Sequence, residues 1–252
     1  SPSACSFNPH PAPYPCPPGP LDAGFFTSGV PQMANKRKWS NVAVALESAR
    51  AAAVVISGIT KAAPGVVSTA GTLPANGSYV LFDVVGMSQI NNAVFRVSGA
   101  AAGSFRLADV ATGAEIDTST YDAFTSGNFY VVTMGTSITT ATTISPSGGE
   151  FDQIDTTTIH DSQRSTIPGL PSAMSYNMDH IWDPADVGLK ALNAAYKSNA
   201  KKVVMFTFGM GGPKMIFAGY VGAHLMPGGS SQGLVTTSTV FTIDGFPTYY
   251  AE

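Results

Sequence analysis

Three short segments of the sequence combine residue types that could carry chemistry. A phosphate group could be bound by the glycines of residues 209–212 (Gly-Met-Gly-Gly). The residue types of a hydrolase triad occur at residues 160–162 (His-Asp-Ser). A metal could be ligated by residues 179–183 (Asp-His-Ile-Trp-Asp). A phosphate-binding loop needs a helix after the glycines, with its N-terminus facing the anion. Here Pro213 and Lys214 lead into a strand pattern, so the glycines predict a hairpin turn.

The other two segments also have simpler interpretations. The members of a catalytic triad meet in space and not in sequence, and no Gly-x-Ser-x-Gly elbow is predicted that would present a serine nucleophile. Residues 179–183 are typical of a strand end, with Asp179 facing solvent, His180 packed and Asp183 capping a helix. The sequence therefore predicts no catalytic, cofactor-binding or metal-binding residues, and a protein that is not an enzyme.

The two cysteines add little to this interpretation. Cys5 and Cys16 both lie in a proline-rich segment. They could form one disulfide, or join His10 in a metal site, but three ligands in a flexible arm are a weak metal signal. The sequence favours neither and leaves the disulfide open.

The composition is low in charge without being low in polarity. Hydrophobic residues make up 44% of the chain and charged residues 12%, against about 25% charged in typical soluble domains. Such surfaces suit strand faces and polar contacts between subunits. The net charge of −3 gives no basic footprint for tight nucleic-acid binding. No apolar run approaches the roughly 20 residues that a membrane-spanning helix needs, so none is predicted.

Composition and the spacing of strand patterns divide the chain into three parts. Residues 1–32 alternate proline with other residues, which favours an extended arm. Because residues 33–38 are typical of a protein start, two interpretations stay open: an upstream extension, or an arm that bridges to a neighbouring subunit. Residues 60–134 contain strand patterns about 8–12 residues apart, which is typical of a small barrel or sandwich. They interrupt a framework formed by residues 33–59 and 135–252. The sequence thus predicts a discontinuous β-sandwich core with an inserted β domain.

The framework contains strands and one predicted helix. Residues 147–149 predict a turn, residues 151–160 a strand, and residues 173–181 alternate so that Met174, Tyr176, Met178 and His180 share one face. The helix is expected to begin at Asp183, with Pro184 in its first turn, and to stop at Asn199. Its expected apolar face consists of Val187, Ala191, Leu192, Ala195 and Tyr196. The predicted fold is mainly β: a sandwich or barrel with one flanking α-helix, plus an inserted small barrel-like domain.

Residues 135–252 resemble the major tail tube proteins of long-tailed, siphovirus-like bacteriophages. The resemblance rests on the order of several segments: a Thr-rich strand leading into 151–158, then 160–162, 164–170, the alternating 175–179, 183–192, 217–221, and 237–241 followed by 245–247. Residues 183–192 are especially similar to the family's single helix. No single segment is diagnostic, and the series as a whole carries the resemblance.

The resemblance implies a structural function. In that family, six subunits join their sheets into a ring lined by a β barrel, and the rings stack into a tube through which viral DNA passes into the host cell. It implies contacts with other copies and with other tail proteins at the tube ends, no cofactor, assembly in the host cytoplasm and a final place in the virion. An acidic net charge fits free passage of DNA, because a basic wall would grip it.

Residues 60–134 depart from the minimal family pattern and resemble a small β module of phage structural proteins, also found as one domain of ubiquitin-activating enzymes. We expect this module to project outward from the tube, since an insertion facing the channel would block DNA. The alternative function is a carbohydrate-binding or adhesion β-sandwich module, because such sandwiches rich in Ser, Thr and aromatic residues often bind sugars. An enzyme is a third possibility, for which the sequence marks no pocket with shifted titratable groups.

Overall fold

A computed structural model describes residues 41–209, 212–222 and 225–245. This part of the chain contains fourteen strands and one α-helix, α1 (Val187–Ser198), with a 3-10 turn at Ser88–Ile90. The strands are β1 (Val42–Arg50), β2 (Val54–Ile59), β3 (Val66–Thr69), β4 (Tyr79–Val85), β5 (Val94–Ala101), β6 (Ser104–Ala108), β7 (Ser126–Ile138), β8 (Ala141–Ser147), β9 (Phe151–Asp155), β10 (Thr166–Pro171), β11 (Ser175–Ile181), β12 (Lys201–Phe208), β13 (Lys214–Gly222) and β14 (Thr236–Ile243). The expected mainly-β fold with one helix is confirmed.

Twelve of these strands form one continuous hydrogen-bonded sheet. Their order is β2-β3-β6-β5-β4-β7-β1-β12-β13-β14-β11-β8, and β9 pairs with β10 in a separate two-stranded ribbon. A further pairing joins Val54 and Val55 of β2 to Phe129 and Asn128 of β7. This pairing closes β2, β3, β6, β5, β4 and β7 into a six-stranded barrel.

The interior of the barrel is filled by side chains. Phe82, Phe105 and Phe129 are fully buried there, and the rings of Phe105 and Phe129 meet edge to face with their centroids 5.2 Å apart. Alternation along the strands sends Val80, Phe82 and Val84 inward, as expected for a half-buried strand. The barrel is therefore a packed core and not a pore.

The remaining strands form a curved sheet whose central strands, β12 and β13, are covered on both faces. On one face, α1 packs against a core that includes Phe206, Phe217 and Phe241. On the other face, Val203, Ile216 and Ala218 of β12 and β13 pack against Leu81 and Val94 of the barrel wall. Sheet and barrel thus form a sandwich, because alternate residues of β12 and β13 serve two different cores.

Strand β7 belongs to both halves of this sandwich. Its first residues pair with β4, as in Phe129 with Phe82, and its last residues pair with β1, as in Ile138 with Val44. The sequence places a domain boundary between residues 134 and 135, but β7 runs across that boundary as one strand through Gly135. The glycine instead permits a close approach, since a Cβ there would lie 2.6 Å from the Ser48 Oγ.

A buried carboxylate shapes β1 beside this shared strand. The register between β1 and β7 shifts at Leu46, Glu47 and Ala49, which marks a β-bulge. Glu47 is buried, and its carboxylate accepts hydrogen bonds from the Arg50 Nε (2.8 Å) and Nη2 (2.7 Å) and from the Val203 backbone N–H (2.9 Å). Arg50 Nη2 also donates to the Lys201 carbonyl (2.7 Å). One ion pair therefore ties the bulge in β1 to the start of β12.

The helix begins three residues later than the sequence predicts. Asp186 is the N-cap, and its side chain accepts from the Leu189 N–H at 2.7 Å. Asp183, the predicted cap, instead accepts from the Ala185 N–H in the preceding turn, so that prediction is wrong. Both aspartates have the short acceptor side chain that a cap needs, and sequence alone did not separate them. The predicted stop is confirmed, since Asn199 adopts the left-handed conformation at the C-cap.

The buried face of the helix also differs from the prediction. Leu189, Leu192 and Ala195 are buried against the curved sheet, as expected for an amphipathic helix. Val187 and Tyr196, at the two ends of the predicted face, are 69% and 44% exposed. The apolar stripe is therefore shorter than the sequence pattern indicates.

Replacing Glu47 by Ala should destabilise the fold strongly. The change leaves the Val203 N–H and the Arg50 guanidinium without their shared acceptor, and removing one partner of a buried ion pair costs about 3 kcal/mol or more. Urea denaturation followed by circular dichroism measures the effect. Glu115→Ala breaks an exposed pair with Arg106 and serves as the control, with an expected loss below about 1 kcal/mol. Equal losses for the two variants would contradict the importance of the buried pair.

Candidate assembly surfaces

Strands β9 and β10 form a ribbon that extends the hairpin of β8 and β11. Ser147 pairs with Ser175 at the end of that hairpin, and beyond it Gly149 N–H donates to the Ser172 carbonyl at 3.2 Å. Every residue of β9 and all but one of β10 are exposed. The ribbon therefore stands out from the sheet and packs only against itself within the described chain.

Two glycines allow the chain to bend where the hairpin becomes the ribbon. Gly148 and Gly149 have φ values of 83° and 84°, in the region that side chains rarely adopt. A Cβ on Gly148 would lie 2.2 Å from the Ala173 carbonyl oxygen. The sequence prediction of a turn at residues 147–149 correctly located the bend, but the chain continues as a hairpin with residues 171–174 on the returning side.

The ribbon carries apolar side chains that the described part of this subunit leaves in solvent. Ile154 and Ile167 are cross-strand partners, and Phe151 and Leu170 are 61% and 81% exposed. A two-stranded ribbon is marginally stable by itself in water, and clustered exposed apolar residues mark interaction sites. We name Phe151, Ile154, Ile167 and Leu170 the ribbon cluster.

The connection between β9 and β10 contains the triad residue types, and their geometry is that of a turn. Hydrogen bonds from the backbone N–H (2.7 Å) and the hydroxyl (2.9 Å) of Thr158 engage the Asp161 carboxylate and lower its pKa below the ordinary value. Residues 160–162 are all exposed. The predicted strand over 151–160 is partly wrong, because β9 ends at Asp155.

A second exposed apolar surface lies at the opposite end of β11. Ile181 ends that strand and Trp182 follows it, and the Trp182 N–H donates to the Val235 carbonyl at 2.9 Å. Leu234 beside it is 68% exposed, and Ile181, Trp182 and Val235 are also exposed. We name these four residues the Trp182 patch. Helix α1 follows it in the chain, so the patch lies beside the helix N-terminus.

A third feature is the edge of the curved sheet. Strand β8 ends the strand order and pairs only with β11 among the described strands. An unpaired edge presents backbone N–H and carbonyl groups on which another strand can add. The edge faces sideways, in the hydrogen-bonding direction, whereas the ribbon cluster and the Trp182 patch lie at the two ends of the strands.

Buried His180 lies between the ribbon and the Trp182 patch. Its Nδ1 is 3.3 Å from the Thr140 hydroxyl, and its Nε2 contacts the Thr239 hydroxyl. Burial lowers the pKa of His180 below its ordinary value, and the opposing effects of Asp179 and Asp186 are smaller. The predicted packing of His180 and exposure of Asp179 are confirmed.

The remaining sequence motifs lie in turns and loops. The Phe208 N–H donates to the Pro213 carbonyl (3.1 Å), and β12 pairs with β13, so the expected hairpin is confirmed around residues 209–212, of which 210 and 211 are not described. The sequence does contain a Gly-x-Ser-x-Gly pattern, at residues 229–233, so the prediction that there is none is wrong. It lies in the connection before β14, where no helix follows to make a nucleophile elbow.

Two further observations concern the described residues only. They contain no group of three or more His, Cys, Asp and Glu side chains that could hold a metal. They also contain no helix long and apolar enough to span a membrane. Cys5, Cys16 and His10, the other metal or disulfide candidates, lie outside the described residues.

The fold is that of a mainly-β protein with exposed strand ends, and comparison with known families shows which family it belongs to. The model of the phage tail tube protein (TTP) family matches residues 85–252. The chain therefore belongs to the phage tail tube protein family, whose members are structural parts of the virion tail. The match begins at the last residue of β4 and includes the barrel strands β5, β6 and β7. A comparison with curated proteins found no match.

The stability of the subunit should fall in acid because of His180. Above pH 6.5 the imidazole is neutral in the folded and in the unfolded protein. As the pH falls below 6.5, the unfolded chain binds a proton at His180 while the folded chain does not, until the pH reaches the lower pKa of the folded protein. This titration lowers the free energy of unfolding by up to about 1.4 kcal/mol per pH unit.

Urea denaturation between pH 5 and 7.5 (roughly the range in which histidine titrates) measures this slope. His180→Gln should flatten it. A His180→Gln protein with an unchanged slope would contradict this assignment.

Proposed function

We propose that this chain is the repeating subunit of a siphovirus-like tail tube, which forms hexameric rings that stack around a channel for viral DNA. The observation that carries the proposal is the exposed apolar ribbon in a chain of the tail tube family. Apolar side chains arranged on a projecting hairpin gain free energy when another subunit covers them. The free edge of β8 offers a second, sideways contact through which sheets of neighbouring subunits can join within a ring.

The channel has to form between subunits. Phe82, Phe105 and Phe129 fill the barrel of a single chain, so no DNA could pass through it. The net charge of −3 disfavours tight binding of the phosphate backbone. DNA is thus expected to pass without sequence-specific contacts.

The proposed role is structural, without catalysis or a cofactor. Its partners are further copies of the chain and the tail proteins at the two ends of the tube. Assembly takes place in the host cytoplasm, and the product is the tail of the virion. Contacts that repeat head to tail without closing give an open-ended stack, which suits a tube.

Electron microscopy of the purified chain tests the proposal. Negative staining should show six-fold rings at low protein concentration and hollow tubes at high concentration, because association is driven by mass action. A persistent monomer at all concentrations would contradict it. A monomer that also binds glycans saturably would favour the carbohydrate-binding alternative.

The domain division belongs to the same proposal. We take residues 33–59 and 135–252 as the tube-forming core and residues 60–134 as a module on its outer side. Strands β3 to β6 lie within this module, and strands β2 and β7 connect it to the core. The arm of residues 1–32 lies outside the described residues, and we retain its bridging role as a hypothesis.

An image reconstruction of the tubes tests the orientation of the module. Density for residues 66–108 should lie at the outer radius, because an inward barrel would obstruct the channel. Density for the module inside the channel would contradict the proposed orientation.

A further inference from the structure

Three side chains of complementary chemistry meet where the barrel contacts the curved sheet. Lys201 begins β12, Asn92 lies in the turn before β5, and Asp244 follows the end of β14. The Lys201 Nζ donates to the Asn92 Oδ1 at 2.7 Å and pairs with the Asp244 Oδ2 at 2.6 Å. The Asn92 Nδ2 donates to the Asp244 Oδ1 at 3.3 Å. An amine, a carboxamide and a carboxylate therefore form a closed triangle of contacts.

We propose that Lys201 and Asn92 become joined by a covalent amide bond between their side chains, with Asp244 as the catalytic acid and base. A lysine amine is a nucleophile once an adjacent base has removed its proton. The carbonyl carbon of a carboxamide is an electrophile, so the pair can react by acyl transfer. The bond forms within a single chain, and this inference is therefore independent of the proposed tube.

The Asp244 carboxylate touches both nitrogens between which protons must move. It accepts a proton from the Lys201 ammonium, and the electron pair left on Nζ attacks the Asn92 Cγ to form the new C–N bond. The bond between Cγ and Nδ2 then breaks. In all, Nζ loses two protons, and both pass through Asp244 to Nδ2, which leaves as ammonium. The carboxylate is regenerated, and the step needs no oxidant or reductant.

The distances and surroundings suit this reaction. Because Oδ1 of Asn92 is bonded to Cγ, the Lys201 Nζ lies within about 4 Å of the carbon that it attacks. Groups held at about 3–3.5 Å are in position to react. The Lys201 side chain is only 22% exposed, and the centre of the Tyr220 ring lies 5.7 Å from its Nζ. Partial exclusion of water strengthens the contacts among the three groups.

The backbone holds the electrophile and the catalytic carboxylate in place. The Asn92 N–H donates to the Phe82 carbonyl at 3.0 Å, and the Asp244 N–H donates to the Ala218 carbonyl at 2.9 Å. A Cβ on Gly245 would lie 3.2 Å from the Asn92 Cβ, so the glycine allows the segment after β14 to approach Asn92 closely. Groups that are already positioned react faster, because their encounter costs little further entropy.

The bond would fasten the barrel to the curved sheet. Asn92 and Lys201 are 109 positions apart in the chain, so their linkage closes a long loop. Closing a long loop restricts the unfolded chain and thereby stabilises the folded one. The two layers could then not separate even where their noncovalent contacts break.

Mass spectrometry of the purified full-length chain tests the bond. The wild-type chain should be lighter than its sequence mass by one molecule of ammonia. After digestion, the peptides that contain Asn92 and Lys201 should be found joined, and trypsin should not cleave after Lys201. Lys201→Arg and Asn92→Ala should each have their full sequence mass, because each lacks one reacting group. Lys202→Arg is the matched control, since it changes the neighbouring lysine, and it should keep the loss of ammonia.

Two results would overturn the proposal. One is a wild-type chain that yields the Asn92 and Lys201 peptides separately. The other is a loss of ammonia that persists in Lys201→Arg, because it would arise elsewhere in the chain.

A further variant tests the role of Asp244. Asp244→Asn keeps a polar side chain of similar size but cannot accept the proton of Lys201. We expect it to lose the joined peptide, with the circular dichroism spectrum of the wild type. A wild-type yield of the joined peptide in Asp244→Asn would overturn the assignment of Asp244 as the catalytic group.

Discussion

The architecture depends on the buried ion pair at the bulge of β1. Strand β1 lies between β7 and β12, so it joins the barrel side of the structure to the curved sheet. The bulge leaves backbone groups out of register, and the Glu47 carboxylate compensates by accepting from Val203 N–H while it holds the Arg50 guanidinium. A carboxylate in a buried position is stable only with such partners. The bulge, the shared strand and the start of β12 are therefore fixed together.

A polar seam reinforces the apolar contact between barrel and curved sheet. Lys201 bonds to Asn92 (2.7 Å) and pairs with Asp244 (2.6 Å), and Lys214 donates to the Tyr79 hydroxyl at 2.8 Å. These groups lie around the core formed by Leu81, Val94, Val203, Ile216 and Ala218. Because they are partly exposed, they contribute more to the relative position of the two layers than to stability.

The sequence predicted those elements that have one buried face. Alternation identified β11 together with the inward side of His180, because burial imposes a period of two on a strand. It missed β10, which contains Pro168 and Pro171 and is exposed on both faces, so no alternating pattern marked it as a strand. Helix α1 was found, but two aspartates compete for its cap, and only the bond to Leu189 distinguishes them. The apolar residues at the two ends of β11 gave no signal either, since their grouping depends on pairings distant in sequence.

The filled barrel has a mechanical consequence for a tube made from this subunit. Aromatic rings packed edge to face leave little free volume, and protein interiors of this kind resist compression. In the proposed tube, the barrel therefore adds solid thickness to the wall without adding to the passage. Substitutions that repack its interior would change the bending stiffness of the wall, while the width of the bore would still be set by the surfaces that subunits present to one another.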